Sequence, residues 1–291
     1  MTTLQRRIST NTATALAVLV IAAMVLFILL PFAMMILTSF KTMQEIFDIP
    51  NRTIWTRIIP DRLDGASYRA VITGDSPQLN GVSFLVYIFN SVITTVGIMV
   101  PALIMSTMAA HGFSRFSFPG KRVFYYMLLM LLMIPMEMIA IPLYRVVARW
   151  GLIDTYIAII LPGAISAFGI FLMTESFAVI PNDYLEAARV DGMKEPAIFL
   201  HIMVPMCKGA LATFMVIKFT QSWNSFFWPL LVINSETKKT VTVGLTQFTS
   251  DLFQIWNDLT AAVVLSLIPT LILFTVARKT IVGSIMRTGL K

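Results

Sequence analysis

The stretch Pro181-Asn-Asp-Tyr-Leu-Glu-Ala-Ala-Arg-Val-Asp-Gly192-Met-Lys-Glu-Pro-Ala-Ile-Phe-Leu-His-Ile202-Met-Val-Pro205 lies between two long apolar runs. Its pattern predicts two short helices. Asn182 can cap the first, with Asp183 and Glu186 favoured near its positive N-terminal end. Gly192 suits the left-handed residue that ends it, and Pro196 suits the first turn of the second. Ile198, Phe199 and Ile202 then share a face at helical spacing. The first helix is expected to expose Ala187 and Ala188, whose small side chains let a partner surface approach closely. The same pattern also fits an amphipathic loop packed on its own chain.

The rest of the sequence sets the surroundings of this loop. Of the 291 residues, 57% are hydrophobic and 13% charged, and mean hydropathy is +0.80. Soluble chains carry roughly 25% charged residues. This one has too little polar surface to cover a water-soluble globule, so its natural solvent is lipid. Net charge is +7, but the basic residues sit between apolar runs, which points to membrane orientation and away from nucleic acid. The lone Cys207 excludes a disulfide framework or a cysteine metal site within the chain. His111 and His201 are too scattered for a zinc centre, and no metal is expected.

A spanning helix needs about 20 mostly apolar residues. The runs predict an all-α membrane protein with about six spans, near 13–38, 87–110, 123–141, 156–177, 209–232 and 259–277. Pro31, Pro101 and Pro135 fall inside them, where neighbours can satisfy the freed carbonyls. Arg6 and Arg7 precede the first span; Arg115, Lys121 and Arg122 fill the second loop; Arg278, Lys279, Arg287 and Lys291 follow the last. None of these segments contains an acid, and six spans put all three on one side, expected to be cytoplasmic. The chain then reads as a single permease domain over 1–291. It has external loops at 41–86 and 234–258, a cytoplasmic loop at 178–208 and a cytoplasmic tail at 278–291. In the long first loop Lys41, Arg52, Arg57, Arg62 and Arg69 are offset by Glu45, Asp48, Asp61, Asp64 and Asp75.

Glu186-Ala187-Ala188, then Gly192 after three residues, then Ile202 and Pro205, resembles the EAA loop of ABC importer permeases, with Val204 where leucine is usual. Ile141-Pro142-Leu143-Tyr144, Gly151-Leu152-Ile153-Asp154-Thr155, Leu161-Pro162, Ser222-Trp223-Asn224 and Trp228-Pro229-Leu230 resemble the carbohydrate-uptake, MalG-like branch. The likeness runs from Asn90 to the C-terminus. It implies the type I importer permease fold, a second similar permease subunit, two cytoplasmic ATPases and an extracytoplasmic solute-binding protein, in the inner membrane of a bacterium. Glu186, Ala187, Ala188, Asp191, Gly192, Ile202 and Pro205 would then form the coupling helix that docks on the ATPase. Lys194 replaces the usual serine ahead of the second loop helix, which weakens that cap. Asn51-Arg52-Thr53 matches a glycosylation acceptor and is discounted on the bacterial resemblance.

No Gly-x-x-x-x-Gly-Lys-Ser/Thr loop is present, and Gly120-Lys121 lacks both the upstream glycine and the following hydroxyl residue. The chain is expected to be a non-catalytic subunit without a bound cofactor, with ATP and Mg held by the partner ATPase. Lys218 falls near mid-span, where a charge costs roughly 2.5–3.5 kcal/mol on insertion scales. Gln221, Ser222 and Ser225 follow at helical offsets on the same face, a polar stripe that fits a translocation pathway for a sugar-like, anionic or strongly polar solute. Alternatively Lys218 pairs with Glu137 or Glu175, or reaches toward an interface. Glu137, after Pro135, is read either as a pathway residue or as a hydrated group near the external end. Asn224 is a further pathway candidate, while Trp228 is expected in the interfacial aromatic belt. An ion-coupled secondary transporter is the alternative reading. It would explain the buried lysine but not the EAA spacing, and no matched broken helices stand out to support it. A membrane-embedded enzyme would need a convergent set of titratable groups that the spans do not supply.

Overall fold

The computed structural model describes residues 3–47, 53, 58–249 and 255–288, with side chains described from 14 to 278 within those ranges. Asn51 and Arg52 of the Asn51-Arg52-Thr53 acceptor and the side chains of Arg6, Arg7, Lys279, Arg287 and Lys291 lie outside the described residues. The chain divides into two compact units, residues 1–81 with 247–265, and 82–246 with 266–291.

The first unit begins with helix α1, Thr3–Ser39, which continues through Pro31. None of its most apolar 18-residue window is buried. Its end is tied to the segment that follows. Ser39 Oγ and Tyr68 Oη share a hydrogen bond of 2.7 Å, and Phe40 packs on Tyr68 at 5.1 Å between ring centroids. Ser76 Oγ donates to Asp258 Oδ2 at 2.8 Å and Asn257 Nδ2 donates to Ser67 Oγ at 2.7 Å. Two distant stretches of sequence are thereby held together by bonded polar groups, of which Ser67, Ser76 and Asp258 are buried.

The second unit is built around α2, Phe84–Arg115, which runs unbroken through Pro101. The helices that follow are α3 (Lys121–Leu131), α4 (Met136–Arg149), α5 (Tyr156–Gly163) and α6 (Ala167–Ala178). Next come α7 (Asn182–Val190) and α8 (Glu195–Ile198), which passes through a π-turn at Phe199–Met203 and a further turn to Met206. Then come α9 (Lys208–Trp223) and α10 (Phe227–Val232). Helix α11, Trp256–Thr288, starts in the first unit and finishes in the second.

α2 packs chiefly on α6, α9 and α5. The contacts are close because glycines face large side chains, the small-residue device of membrane helices. A Cβ on Gly97 would lie 2.6 Å from Ile160 Cδ1, one on Gly163 2.9 Å from Ile98 Cγ2, and one on Gly169 2.2 Å from Phe214 Cζ.

Among the described residues four helical segments are long and apolar enough to span a membrane, in α1, α2, α5 with α6 (Tyr156–Ala178) and α11. The number is up to six if two bent pairs, α3 with α4 at 102° and 195–206 with α9 at 78°, each count as one span. The expectation that Pro135 sits within a continuous third span is corrected. The chain leaves the helix at Leu132 and restarts with Pro135 as an extended N-cap (φ −68°, ψ 146°). Proline cannot donate to the preceding turn, and it drives the residue before it away from helical backbone. Glu137 then falls in the first turn of α4, where the helix dipole favours an acid.

Candidate functional site

The elbow formed by α7 and α8 closes onto the C-terminal end of α2. Ile180, Leu185, Ala188, Ile198, Met203 and Cys207 form one apolar core with Ala110, Met173 and Phe177, against which Phe199 and Ile202 pack. Gly192 adopts φ +82°. The turn is held by Gly192 N donating to Arg189 O at 3.0 Å and Met193 N to Ala188 O at 2.9 Å, as a left-handed C-cap requires. Glu186, Ala187, Asp191 and Pro205 are exposed. Around them Tyr184 and Val190 are also exposed, Val190 at 88%, so the outer surface of the elbow combines apolar groups with acids. Ala188 faces the core at 6% exposure, which corrects its expected placement on the docking face: one helical face cannot serve both surfaces, and packing took this alanine.

Asn182 is likewise not the cap. Pro181 holds the N-cap position and makes no side-chain cap, while Asn182 Oδ1 accepts from Arg115 Nη1 at 2.6 Å. Arg115 Nη2 donates to Phe177 O and, at 2.7 Å, to Ile180 O. One guanidinium thus closes the carbonyl end of α6 and the start of α7, with its charge at the negative end of a helix. One turn earlier, His111 packs between Phe116 at 5.2 Å and Phe199 at 5.1 Å, with Nε2 4.0 Å from Glu195 Oε2.

The polar stripe of α9 opens into a cavity of about 270 Å³. It is lined by Lys218, Gln221, Ser222 and Ser225 together with Ile98, Met136, Ile159, Pro162, Gly163 and Trp228. Lys218, Gln221 and Ser222 share this space as the helical offsets require, whereas Ser225 reaches it from the break after Trp223, which corrects the expected continuous span over 209–232. Among the described residues Lys218 has no hydrogen-bond or ion-pair partner. The pairings with Glu137 and Glu175 do not occur: Glu137 is exposed, and Glu175 Oε1 accepts from Tyr125 Oη at 2.7 Å in a separate cavity of about 530 Å³. Neither Glu137 nor Asn224 lines the Lys218 cavity. Trp228 is 5% exposed and donates from Nε1 to Ala158 O at 2.9 Å. Trp228 belongs to an interior wall, which corrects its expected place in an interfacial belt: Ala158 O gives the indole N–H a partner that the lipid interior would not.

The model of the binding-protein-dependent transport system inner membrane component matches residues 102–285, which include the elbow and every residue of the cavity lining but Ile98. The chain belongs to this family. Similar proteins include the sn-glycerol-3-phosphate transport system permease protein UgpE of Brucella abortus, 32% identical over 224 residues, 76% of this chain and 79% of that one. The arabinooligosaccharides transport system permease protein AraQ of Bacillus subtilis is 29% identical over 211 residues, 72% of this chain and 75% of that one. A crystal structure of a bacterial ABC transporter that imports the acidic polysaccharide alginate contains a chain superimposing with TM-score 0.77. Its 24% identity spans 96% of this chain and 98% of that one, and the fold is shared. The protein is an inner membrane component of a binding-protein-dependent transport system, and these relatives lend no support to ion-coupled transport.

The permease is also organised at the opposite end of α2. Asp154, left-handed at φ 62°, accepts through Oδ1 from Asn234 N at 3.0 Å and Ser235 N at 2.9 Å, and through Oδ2 from Ser235 Oγ and, at 3.0 Å, Lys238 Nζ. Lys238 Nζ also donates to Asp154 O at 2.6 Å. The Ser235 hydroxyl and backbone N–H hold the carboxyl well below the usual carboxylate range, with help from Lys238. Asn90 Nδ2 donates to Thr237 O and Lys239 O, each at 2.9 Å, while its Oδ1 accepts from Tyr156 Oη at 2.7 Å. Sequence reasoning assigned no role to Arg115 in the elbow or to Asp154 in the loop. The signal for Arg115 was its spacing of four from His111 on one helical face; Asp154 gave none beyond its place in the Gly151–Thr155 motif.

Proposed function

We propose that this permease is the transmembrane subunit of an ATP-driven importer for a sugar-like solute with an anionic group. It would pair with a second, similar permease subunit and two cytoplasmic ATPases, and receive solute from an extracytoplasmic binding protein. Both termini, the 178–208 elbow and the 278–291 tail are cytoplasmic on this reading, and the 41–86 and 234–258 loops external. Nucleotide and Mg bind the ATPase subunits and not this chain. The single observation that carries the reading is the elbow. A left-handed Gly192 presents exposed Glu186, Ala187 and Asp191 beside an exposed apolar rim, on a body packed into the membrane helices. Such a surface suits a protein groove that supplies cations for the acids and apolar contact for Tyr184 and Val190.

In the mechanism proposed, ATP-driven closure of the ATPases brings the elbows of the two permeases together. Because each elbow shares a core with the inner ends of its helices, its displacement reorients the helices and opens the solute pathway outward. Import is coupled when ATP and the loaded binding protein both favour that outward state. Lys218, Gln221, Ser222 and Ser225 line the pathway, and the second permease completes the wall. Asn224 and Glu137, outside the cavity, are assigned to its approaches. An ammonium with hydroxyl and amide neighbours and no acid in the lining suits a phosphate or carboxylate on a sugar-like body. Glycerol 3-phosphate and alginate, named for two of the similar proteins, carry such groups.

The test is uptake into vesicles that hold the permease pair and ATPases, with the binding protein outside and ATP within. Uptake is expected to need ATP and the binding protein, and Lys218→Met to slow anionic solutes at least tenfold while sparing neutral ones. Uptake driven by an ion gradient without ATP would overturn the import reading. An unchanged rate and apparent affinity in Lys218→Met would remove the lysine from the pathway.

A further inference from the structure

The two polar clusters that fasten α2 sit at its opposite ends. At the elbow end, Arg115 binds the carbonyls of Phe177 and Ile180 and the amide of Asn182, while His111 is packed against Phe199. At the other end, Asn90 binds the carbonyls of Thr237 and Lys239, and Ser91 Oγ accepts from Val241 N at 2.8 Å. Fully buried Tyr87 fills the space beside Gly244, where a Cβ would lie 2.3 Å from Tyr87 Cδ2. Arg115 and Asn90 are both on α2, and 25 residues at 1.5 Å each set them roughly 37 Å apart.

We infer that α2 is a lever joining the ATPase-docking elbow to the 237–244 loop, with Arg115 and Asn90 as the positioning residues that fix its two ends. The inference rests on the reading of the elbow as the ATPase dock. Three features carry it. First, each attachment is made mainly to backbone carbonyls, Phe177 O and Ile180 O for Arg115 and Thr237 O and Lys239 O for Asn90, with one side-chain bond beside each, to Asn182 Oδ1 and from Tyr156 Oη. Second, each attachment is multiple: Arg115 engages three acceptors, and Asn90 uses both amide protons and its carbonyl oxygen. A multiply bonded group resists rotation and transmits displacement, where a single bond would pivot. Third, the helix between them is continuous and packed by interlocking glycines and large side chains, and such packing moves as a body instead of deforming. In a working transporter the lever would let the 237–244 loop sense the ATPase state, and let a binding protein seated on that loop signal inward. The same coupling energy must act in both directions.

The test uses the assembled transporter in vesicles. Cys207 is buried, so Thr237→Cys, at an exposed position, can be labelled selectively within this chain with a nitroxide. Its mobility is compared without nucleotide and with ATP, Mg and vanadate. In the otherwise unchanged chain the spectrum is expected to change with nucleotide. In Arg115→Gln and in Asn90→Asp, which is isosteric but lacks the two donors, the coupling is expected to fall at least fivefold. Arg115→Lys, with one ammonium for three acceptors, is expected to restore part of it. Combining Arg115→Gln with Asn90→Asp is expected to add little to either alone, because both break one linkage. Subunit stoichiometry and vanadate-trapped nucleotide, measured on the same samples, identify any variant that fails to assemble; the inference is then judged on the other end's variant. A nucleotide-driven change that survives in the assembled variants, or two fully additive losses, would overturn the lever. No change even with both ends intact would overturn the elbow reading and the lever with it.

Discussion

Gly169→Ala should destabilise this protein although alanine is the better helix former. Gly169 lies in α6, where that helix meets α2 and α9. A Cβ there would fall 2.2 Å from Phe214 Cζ, 2.5 Å from Phe214 Cε2 and 2.7 Å from Ser106 Oγ. Non-bonded carbons rest at about 3.5–4.0 Å, so the ring tip would have to withdraw by more than about 1 Å. Phe214 is 1% exposed and has no open side to turn into, and Ser106 Oγ is donating to Ser166 O at 3.3 Å. Helices must therefore separate. Overpacking of this kind costs about 1–3 kcal/mol, which exceeds the roughly 1 kcal/mol that alanine gains over glycine in a helix. Phe214→Leu alone should also destabilise, by leaving a cavity. The combination of Gly169→Ala with Phe214→Leu should lose less than the sum, with a favourable coupling of about 0.5–3 kcal/mol. Thermal midpoints of the detergent-solubilised protein, followed by size-exclusion chromatography, provide the assay. A Gly169→Ala variant as stable as the parent, or an additive double variant, would refute the packing argument.

Removing the Asp154 carboxylate should free the 234–239 segment. Asp154→Ala is expected to cost about 1 kcal/mol after solvent screening and to speed protease cleavage there; Asp154→Asn, which tolerates the left-handed backbone, should do so less. Because the folded carboxyl lies below its ordinary value, its stabilisation is complete above about pH 4 and is lost as pH falls below it. Cleavage that is flat through that window would contradict the assignment. Gly192→Ala meets nothing within 4 Å, so its cost is backbone strain alone, about 1–2 kcal/mol. Less ATPase should co-purify with it than with Gly192→Asn, and equal recovery would count against a required left-handed turn.

The spans and the elbow were legible because each rests on local chemistry. Apolar length marks a span, and a glycine followed by a proline at the right distance marks a helix–turn–helix. Gly192 and Pro196 sit in the structure where the pattern placed them. The stripe from Lys218 to Ser222 was legible for the same reason, since residues on one helix face necessarily share whatever that face meets, while Ser225 joins it from beyond the helix end at Trp223. Errors arose where a residue had two satisfactory partners and only the tertiary structure chooses. Asn182 could cap its own helix but bonds Arg115. Ala188 could face a partner but packs with Leu185 and Ile198. Trp228 could sit at an interface but donates to Ala158 O.

The distribution of polar contacts along α2 follows from its solvent. In the middle of a membrane helix the backbone is satisfied internally, and Thr94 and Thr107 turn their hydroxyls onto carbonyls of their own helix. Side chains have little to grip on a neighbouring helix there, and contact is made by shape, as at Gly97 and Ile160. Only where a neighbouring chain leaves its helix do free carbonyls appear, and Arg115 and Asn90 lie where such carbonyls can be reached, beside Phe177 and Ile180 at one end and Thr237 and Lys239 at the other. Shape dominates the middle, where the bond from Ser106 Oγ to Ser166 O is long at 3.3 Å, and polar clusters fix the ends to specific loops. A helix built this way can be displaced along its packed faces while keeping both attachments, which is what alternating access requires of an element that reaches from one loop cluster to the other.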